Sequence, residues 1–254
     1  MTVEIQRDKY GRPLVVPPKG TKAVAYTRAT TIANSLDDAG ALTAWKMRMA
    51  AIGLTTRPDI LTAITAAGDD KLAVNQYIED AMAIAGANKA ANIGTAIHKF
   101  AEALDKNEKM GVVPEPYLTD LKAYQKATSI LSNIFVEHFC VLDKYKIAGT
   151  PDRIVEYKGE RFIADIKTGR IDHPNNIAIQ LAIYANGLPY DPATATRGTW
   201  GDINLEKAII IHLPAGSGTC QLQWIDIKEG KKGLDFAMKV RKWRDQKGLT
   251  TLFE

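Results

Sequence analysis

Two aspartates and a lysine, Asp152, Asp165 and Lys167, form the grouping in this chain that reads as reactive. They lie in IAGTPDRIVEYKGERFIADIKTG, residues 147–169. Val155, Phe162, Ile163 and Ile166 favour strands, and Lys158-Gly159 suits a two-residue turn between Tyr157 and Glu160. In that hairpin Tyr157 faces Glu160, and counting outward sets Asp152 across from Asp165, their Cβ atoms about 4.5 to 5.5 Å apart. Side chains alternate along a strand, so Lys167 shares the face of Asp165 while Ile166 points into the opposite layer.

Opposed aspartates repel, and a hard divalent cation is the simplest reason for a fold to keep them. Mg²⁺ takes oxygen ligands at about 2.0 to 2.1 Å and is usually held by one or two carboxylates plus substrate phosphate oxygens. An ammonium beside it can orient a water, lower its pKa, or neutralise charge building on a phosphate in the transition state. A lone D-x-K is commonly a solvated hairpin with scattered charges. Pro151-Asp152 upstream and the cross-strand register argue for a site instead.

PD followed by D-x-K across a hairpin resembles the PD-(D/E)xK nuclease superfamily. Gly94-Thr95-Ala96-Ile97-His98 upstream and Gln180-Leu181-Ala182-Ile183-Tyr184 downstream, in that order, narrow the resemblance to the RecB-like exonuclease branch. Thr30-Thr31-Ile32 and a later Trp near the N-terminus also resemble phage-type members. The resemblance implies an α/β fold with a mixed central β-sheet flanked by helices, the restriction-endonuclease-like core, and an N-terminal helical embellishment. It implies Mg²⁺ or Mn²⁺ held by His98, Asp152, Asp165 and the carbonyl of Ile166, with Lys167 positioning or activating the water. It also places Gln180 and Tyr184 at the border of the active site, where they contact DNA or order the lysine. Some members carry an iron-sulfur cluster on four cysteines. This chain has two, Cys140 and Cys220, so no such cluster is expected, and both read as reduced buried thiols.

Without the resemblance several of these residues have plainer readings. A histidine on a half-apolar helix such as NIGTAIHKFAEAL is more often structural than a ligand. Gln180 and Tyr184, at i and i+4 on a helix apolar nearly all round, can satisfy each other. Glu137 lies in IFVEHFCVLD, read as one strand; a turn at Asp143-Lys144 sets it opposite Thr150, on the face of Asp152, where a secondary acidic role and a solvated edge charge are equally open.

The remainder of the chain must position these groups. Its 254 residues, 46% hydrophobic and 24% charged, fit one soluble globular domain, which the resemblance implies is a single nuclease domain, mostly helical over 1–110 and carrying the catalytic core over 111–254. Asp37 or Asp38 suits the cap of a helix that carries Leu42, Trp45 and Met49 inward, and Pro58 to Leu104 reads helical with breaks at Gly68 and Gly86. A buried helix follows the D-x-K strand as far as Gly187, and two further strands begin at Ala208 and Cys220. From Lys228 to Lys247 eight Lys/Arg stand against three acids. Leu234, Met238, Arg241 and Trp243 make this an amphipathic helix, whose Lys239, Arg241, Lys242 and Arg244 suit a phosphate backbone or are merely solvated.

No apolar run approaches a membrane span and no signal-peptide pattern follows Met1, so a cytoplasmic protein is expected, in the host cell if phage-encoded. The expected activity is metal-dependent DNA exonuclease, in phage or prophage recombination, repair or processing. The alternatives are a structure-selective endonuclease and a catalytically inactive DNA-binding module of the same fold. DNA is the expected partner, with a single-strand annealing or other recombination protein as a further one.

Overall fold

The computed structural model describes residues 4–172 and 174–250. Strand β1 (Leu14–Val15) pairs with β2 (Val24–Ala25), and β3 (Thr27–Arg28) runs directly into helix α1 (Ala29–Ala33). Four helices follow, α2 (Gly40–Thr56), α3 (Pro58–Ala67), α4 (Lys71–Ile84) and α5 (Lys89–Asp105), and then α6 (Tyr117–Thr128). Five strands succeed one another in β4 (Ser132–Val136), β5 (Cys140–Leu142), β6 (Ile147–Gly149), β7 (Arg153–Tyr157) and β8 (Glu160–Lys167). Helix α7 (Pro174–Ala185), strands β9 (Leu188–Asp191), β10 (Thr196–Arg197), β11 (Lys207–His212) and β12 (Gln221–Asp226), and helix α8 (Ile227–Arg244) complete the described elements. No helix among them is long and apolar enough to cross a membrane.

The fold is α/β, with two mixed sheets flanked by helices. One sheet has the order β12-β11-β8-β7-β4, parallel between β11 and β8 and antiparallel elsewhere; the other runs β10-β9-β5-β6-β3. Ile154, Ile163, Ile210 and Ile225 turn one face of the first sheet toward Leu181, Ala182 and Ile183 of α7, forming the main core together with Leu234 and Ala237 of α8. Truncating such a residue, Ile163→Ala for example, costs about 2–5 kcal/mol. Helix α8 reaches α7 closely because Gly230 and Gly233 face it; a Cβ on Gly230 would stand 2.1 Å from the Ala178 carbonyl oxygen.

The chain divides into two compact units, one of residues up to Leu36 joined with His98 onward, the other Asp37–Ile97. The border thus falls before the expected 110, and the N-terminal segment goes with the sheets because Thr27 and Arg28 pair in parallel with Ile147 and Ala148. In the helical unit Gly53 of α2 lies against α4, where a Cβ would be 1.8 Å from the Ala81 carbonyl oxygen. That contact sits late in α2, so its first turns stay open: Leu42 and Trp45, expected inward, are exposed, and Met49 is half-buried. The cap of α2 is Ala39, with Asp38 Oδ1 accepting from the Gly40 amide at 2.8 Å.

The hairpin of β7 and β8 has the expected register. Lys158 and Gly159 take φ of 52° and 81°, the left-handed pair that a two-residue hairpin turn needs, and pairing runs from Tyr157↔Glu160 to Arg153↔Ala164. The preceding segment differs. IFVEHFCVLD is two strands in different sheets, and Glu137 sits between them at φ 51°. The loop Asp143–Tyr145 is a 3₁₀ turn ended by left-handed Lys146, longer than a two-residue turn, so Cys140 pairs with Gly149. Glu137 therefore does not oppose Thr150; its amide donates to the Asp152 carbonyl at 2.9 Å.

Candidate metal centre

Asp152 is the residue just beyond the last hairpin pair. Its chain bends out of the strand there, and Oδ2 turns back to accept the Ile166 amide at 2.8 Å. The same oxygen lies 3.3 Å from His98 Nδ1 on α5. Glu137, His98 and Asp152 offer ligand atoms all within 4.8 Å of one another. Asp165 occupies the expected face of β8, nearly fully buried, and Lys167 Nζ stands 2.6 Å from its Oδ2. That approach is an ion pair by distance but off the hydrogen-bonding direction, so among the described residues Asp165 Oδ2 is a buried oxygen with no hydrogen-bond donor.

The electrostatics follow from this crowding. Burial, then the charges of Asp165 and Glu137, push Asp152 well above the ordinary carboxylate range, against the Ile166 amide and Arg153. Burial lifts Glu137 to about 7, although Arg153 works the other way. Burial lowers His98, opposed by Asp165 and assisted by Lys167 and Arg153, and so favours the neutral imidazole that binds metals. An oxygen without a donor, two carboxylates held against their preference for charge, and a neutral imidazole fit a hard divalent cation. The triad that meets most closely is His98, Glu137 and Asp152, with Asp165 beside it facing Lys167. Glu137 thus moves from a secondary acid to a direct candidate ligand, while the backbone of Ile166 reaches both the Asp152 carboxylate and the His98 ring.

Gln180 Nε2 donates to the Tyr184 hydroxyl at 3.1 Å, so the pair satisfies itself as its helical spacing implied. Tyr184 is also seated against β6. A Cβ on Gly149 would meet its Cε1 at 2.8 Å, so glycine is what lets the ring in. Burial raises its phenol pKa, and the charges of Asp165 and Asp152 act on it in the same direction, which puts the ring within their field. On α8, Ile227, Gly230, Leu234 and Ala237 form the buried stripe. Trp243 lies off that stripe and is 65% exposed, contrary to the inward face expected of it. Lys239, Lys242 and Arg244 are exposed and Arg241 half-buried, and none is ion-paired among the described residues. Cys140 is buried as expected; Cys220 is only half-buried, one residue ahead of β12.

Three residues of the centre escaped the sequence reading. Arg153, fully buried, donates from Nη1 to the Asp152 carbonyl at 2.7 Å, places that nitrogen 3.6 Å from Glu137 Oε1, and bonds Asp105 Oδ2 through Nε at 2.5 Å. Tyr124 donates to the same Asp105 oxygen at 2.6 Å. A signal for Arg153 was present: it is a charge in the otherwise apolar row with Val155. Asp105 follows His98 by two helical turns. Comparison of the sequence with protein-family models and with curated proteins finds no match.

Proposed function

We propose that this chain is a metal-dependent deoxyribonuclease of PD-(D/E)xK type, an exonuclease of the RecB-like kind acting in the cytoplasm on DNA. The observation that carries the reading is the group of buried Asp152 and Asp165 with half-buried Glu137, beside His98, whose imidazole is kept toward the neutral form by burial, and Lys167. A structural cluster would be expected to satisfy its members; one that awaits a cation and a phosphate need not. His98, Glu137 and Asp152 are the residues that would hold Mg²⁺ or Mn²⁺, with Asp165 completing the negative charge. When bound, the cation supplies a Lewis acid that takes up charge from the phosphate oxygens.

The protein's own groups do the rest. Lys167, held beside Asp165, orients the attacking water and offsets charge as it builds on the scissile phosphate. Attack is in line, opposite the leaving 3′ or 5′ oxygen. Gln180 and the buried Tyr184 fix one wall of the site, keeping the phosphate against the lysine. The basic end of α8 supplies unpaired cations for the backbone of the nucleic acid.

Purified protein incubated with end-labelled linear DNA and closed circular DNA, with Mg²⁺, Mn²⁺ or chelator, tests this. Linear DNA should be degraded from its ends with either metal, the circle spared, and chelator should stop the reaction. Equal attack on the circle would make the enzyme an endonuclease, and absence of cleavage with any metal would remove the enzymatic reading.

A further inference from the structure

We infer that Asp105, Arg153 and Tyr124 form a clamp that fixes the rotation of α5 and so holds His98 against Asp152, making all three positioning residues. The inference rests on the divalent-cation reading above and names side chains that reading does not use. His98 and Asp105 are seven residues apart on one helix, two turns, and so point the same way about 10 Å apart along the axis. The residues they meet, Asp152 and Arg153, are neighbours in the chain. The length of the arginine spans the difference: Nε takes Asp105 at one end of the contact while Nη1 returns to the main-chain carbonyl of Asp152.

The clamp is tied at three points. Arg153 and Tyr124 are each 1% exposed, and Asp105 Oδ2 receives donors from both α6 and β7. Rotation of α5 by a fraction of a turn breaks both bonds at Asp105 and swings His98 off Asp152 together. Arg153 also stands 3.6 Å from Glu137 Oε1 and its charge acts on Asp152 and Glu137, so Asp105 matters twice: it holds the arginine in place and offsets that charge beside the centre. A buried pair of this kind is a weak source of stability and a good source of fixed geometry. Among the described residues Arg153 Nη2 is buried without a hydrogen-bond partner, a cost set against the bonds at Nε and Nη1 that hold the arginine in this position.

The test is a double-mutant cycle read by Mn²⁺ binding in calorimetry, on the full chain and without DNA. His98→Ala and Asp105→Asn should each weaken Mn²⁺ by about 10–100-fold, the usual effect of losing a ligand's support. The double variant should lose no more than His98→Ala alone, because both changes remove the same ligand. Tyr124→Phe, which deletes only a hydroxyl, should weaken Mn²⁺ by a smaller factor, and that loss too should vanish in the His98→Ala background; it serves as the test if Asp105→Asn does not fold. Losses that add to that of His98→Ala, or variants that melt lower yet keep parental Mn²⁺ affinity, would overturn the clamp and leave the cation reading intact. A parent protein that binds no Mn²⁺ would overturn both.

Discussion

Two ionic groups in the sheet-bearing unit are built from the same kinds of residue and end in opposite states. Asp143 accepts the Arg197 guanidinium at 2.8 and 3.0 Å and the Tyr26 hydroxyl at 2.6 Å, and Arg197 goes on to bond the carbonyls of Val16 and Ala195. Burial alone would raise Asp143, yet those hydrogen bonds hold it below the ordinary carboxylate value. Around Asp152 the balance is reversed. Burial and the neighbouring Asp165 and Glu137 outweigh Arg153 and the Ile166 amide, Glu137 rises to about 7, and among the described residues Asp165 Oδ2 has an ion pair with Lys167 but no hydrogen-bond donor. The first group is complete as it stands and joins the N-terminal segment to β10. The second keeps carboxylates whose burial opposes their charge, and that contrast is what supports the proposed divalent-cation site.

The largest expected effect separates chemistry from binding at the second group. Lys167→Met should lower turnover by about 10²–10⁴-fold, the range for loss of a proton-handling group, while DNA affinity stays at the parental value. Single-turnover cleavage and equilibrium binding on the same preparation check it. A variant that cleaves within a few-fold of the parent would make the lysine structural and erase the distinction between the two groups.

At the first group the expected effect falls on stability instead. Asp143→Asn should cost about 1.5 kcal/mol in urea unfolding, since hydrogen bonds to a charged group are lost, and should leave the stabilisation by Mg²⁺ unaltered. If Mg²⁺ protected this variant less than the parent, the two groups would not be independent.

A pH series in chelator sharpens the contrast further. Glu137, whose pKa rises from 4.5 to about 7 on folding, contributes stability that is fully present below pH 4.5 and is lost as pH rises through about 7, because the folded state keeps the proton longer. Asp152, also raised, acts with the same sign. Asp143, lowered on folding, has the opposite one: its contribution is present above the ordinary aspartate pKa and is lost as pH falls below it. Burial lowers the pKa of His98 and His138, which therefore add stability as pH rises over the same window, so the test is a difference: between about pH 5 and 8 the parent should lose stability relative to Glu137→Gln. An unchanged slope in Glu137→Gln would show that this carboxylate is not what the fold resists ionising.

The smallest effect concerns charges that belong to neither group. Arg241→Ala with Lys242→Ala and Arg244→Ala should change stability by less than about 0.5 kcal/mol. It should also reduce the slope of log affinity against log salt by about 0.9 per lost phosphate contact on duplex DNA. A slope equal to the parent's would mean these residues are only solvated.

What the sequence made legible was local. Lys158-Gly159 set the hairpin register as far as Arg153 and Ala164, and with it the shared face of Asp165 and Lys167, while Asp152 lies one residue beyond the pairing, where the chain bends; the helical spacing of Gln180 and Tyr184 implied their mutual bond. What it hid was long-range. The bend at Glu137 depends on β4 and β5 entering different sheets, which no alternation within IFVEHFCVLD reveals, and so the glutamate's nearness to His98 was out of reach. Arg153 went unread because its partner Asp105, which Tyr124 also bonds, comes from a helix dozens of residues upstream. Trp243 was assigned inward by periodicity, whereas the close approach of Gly230 to α7 selects a different stripe of α8.

The central claim is that Asp152 belongs to a group kept together for a divalent cation. Thermal melts of the parent and of Asp152→Asn at pH 8, each in chelator and in Mg²⁺, test it most directly. The account predicts that the parent gains stability from Mg²⁺ by mass action, and that Asp152→Asn, relieved of a buried charge, melts higher than the parent in chelator by about 1 kcal/mol equivalent and gains nothing from Mg²⁺. A variant that melts lower in chelator and gains as much from Mg²⁺ as the parent would contradict it.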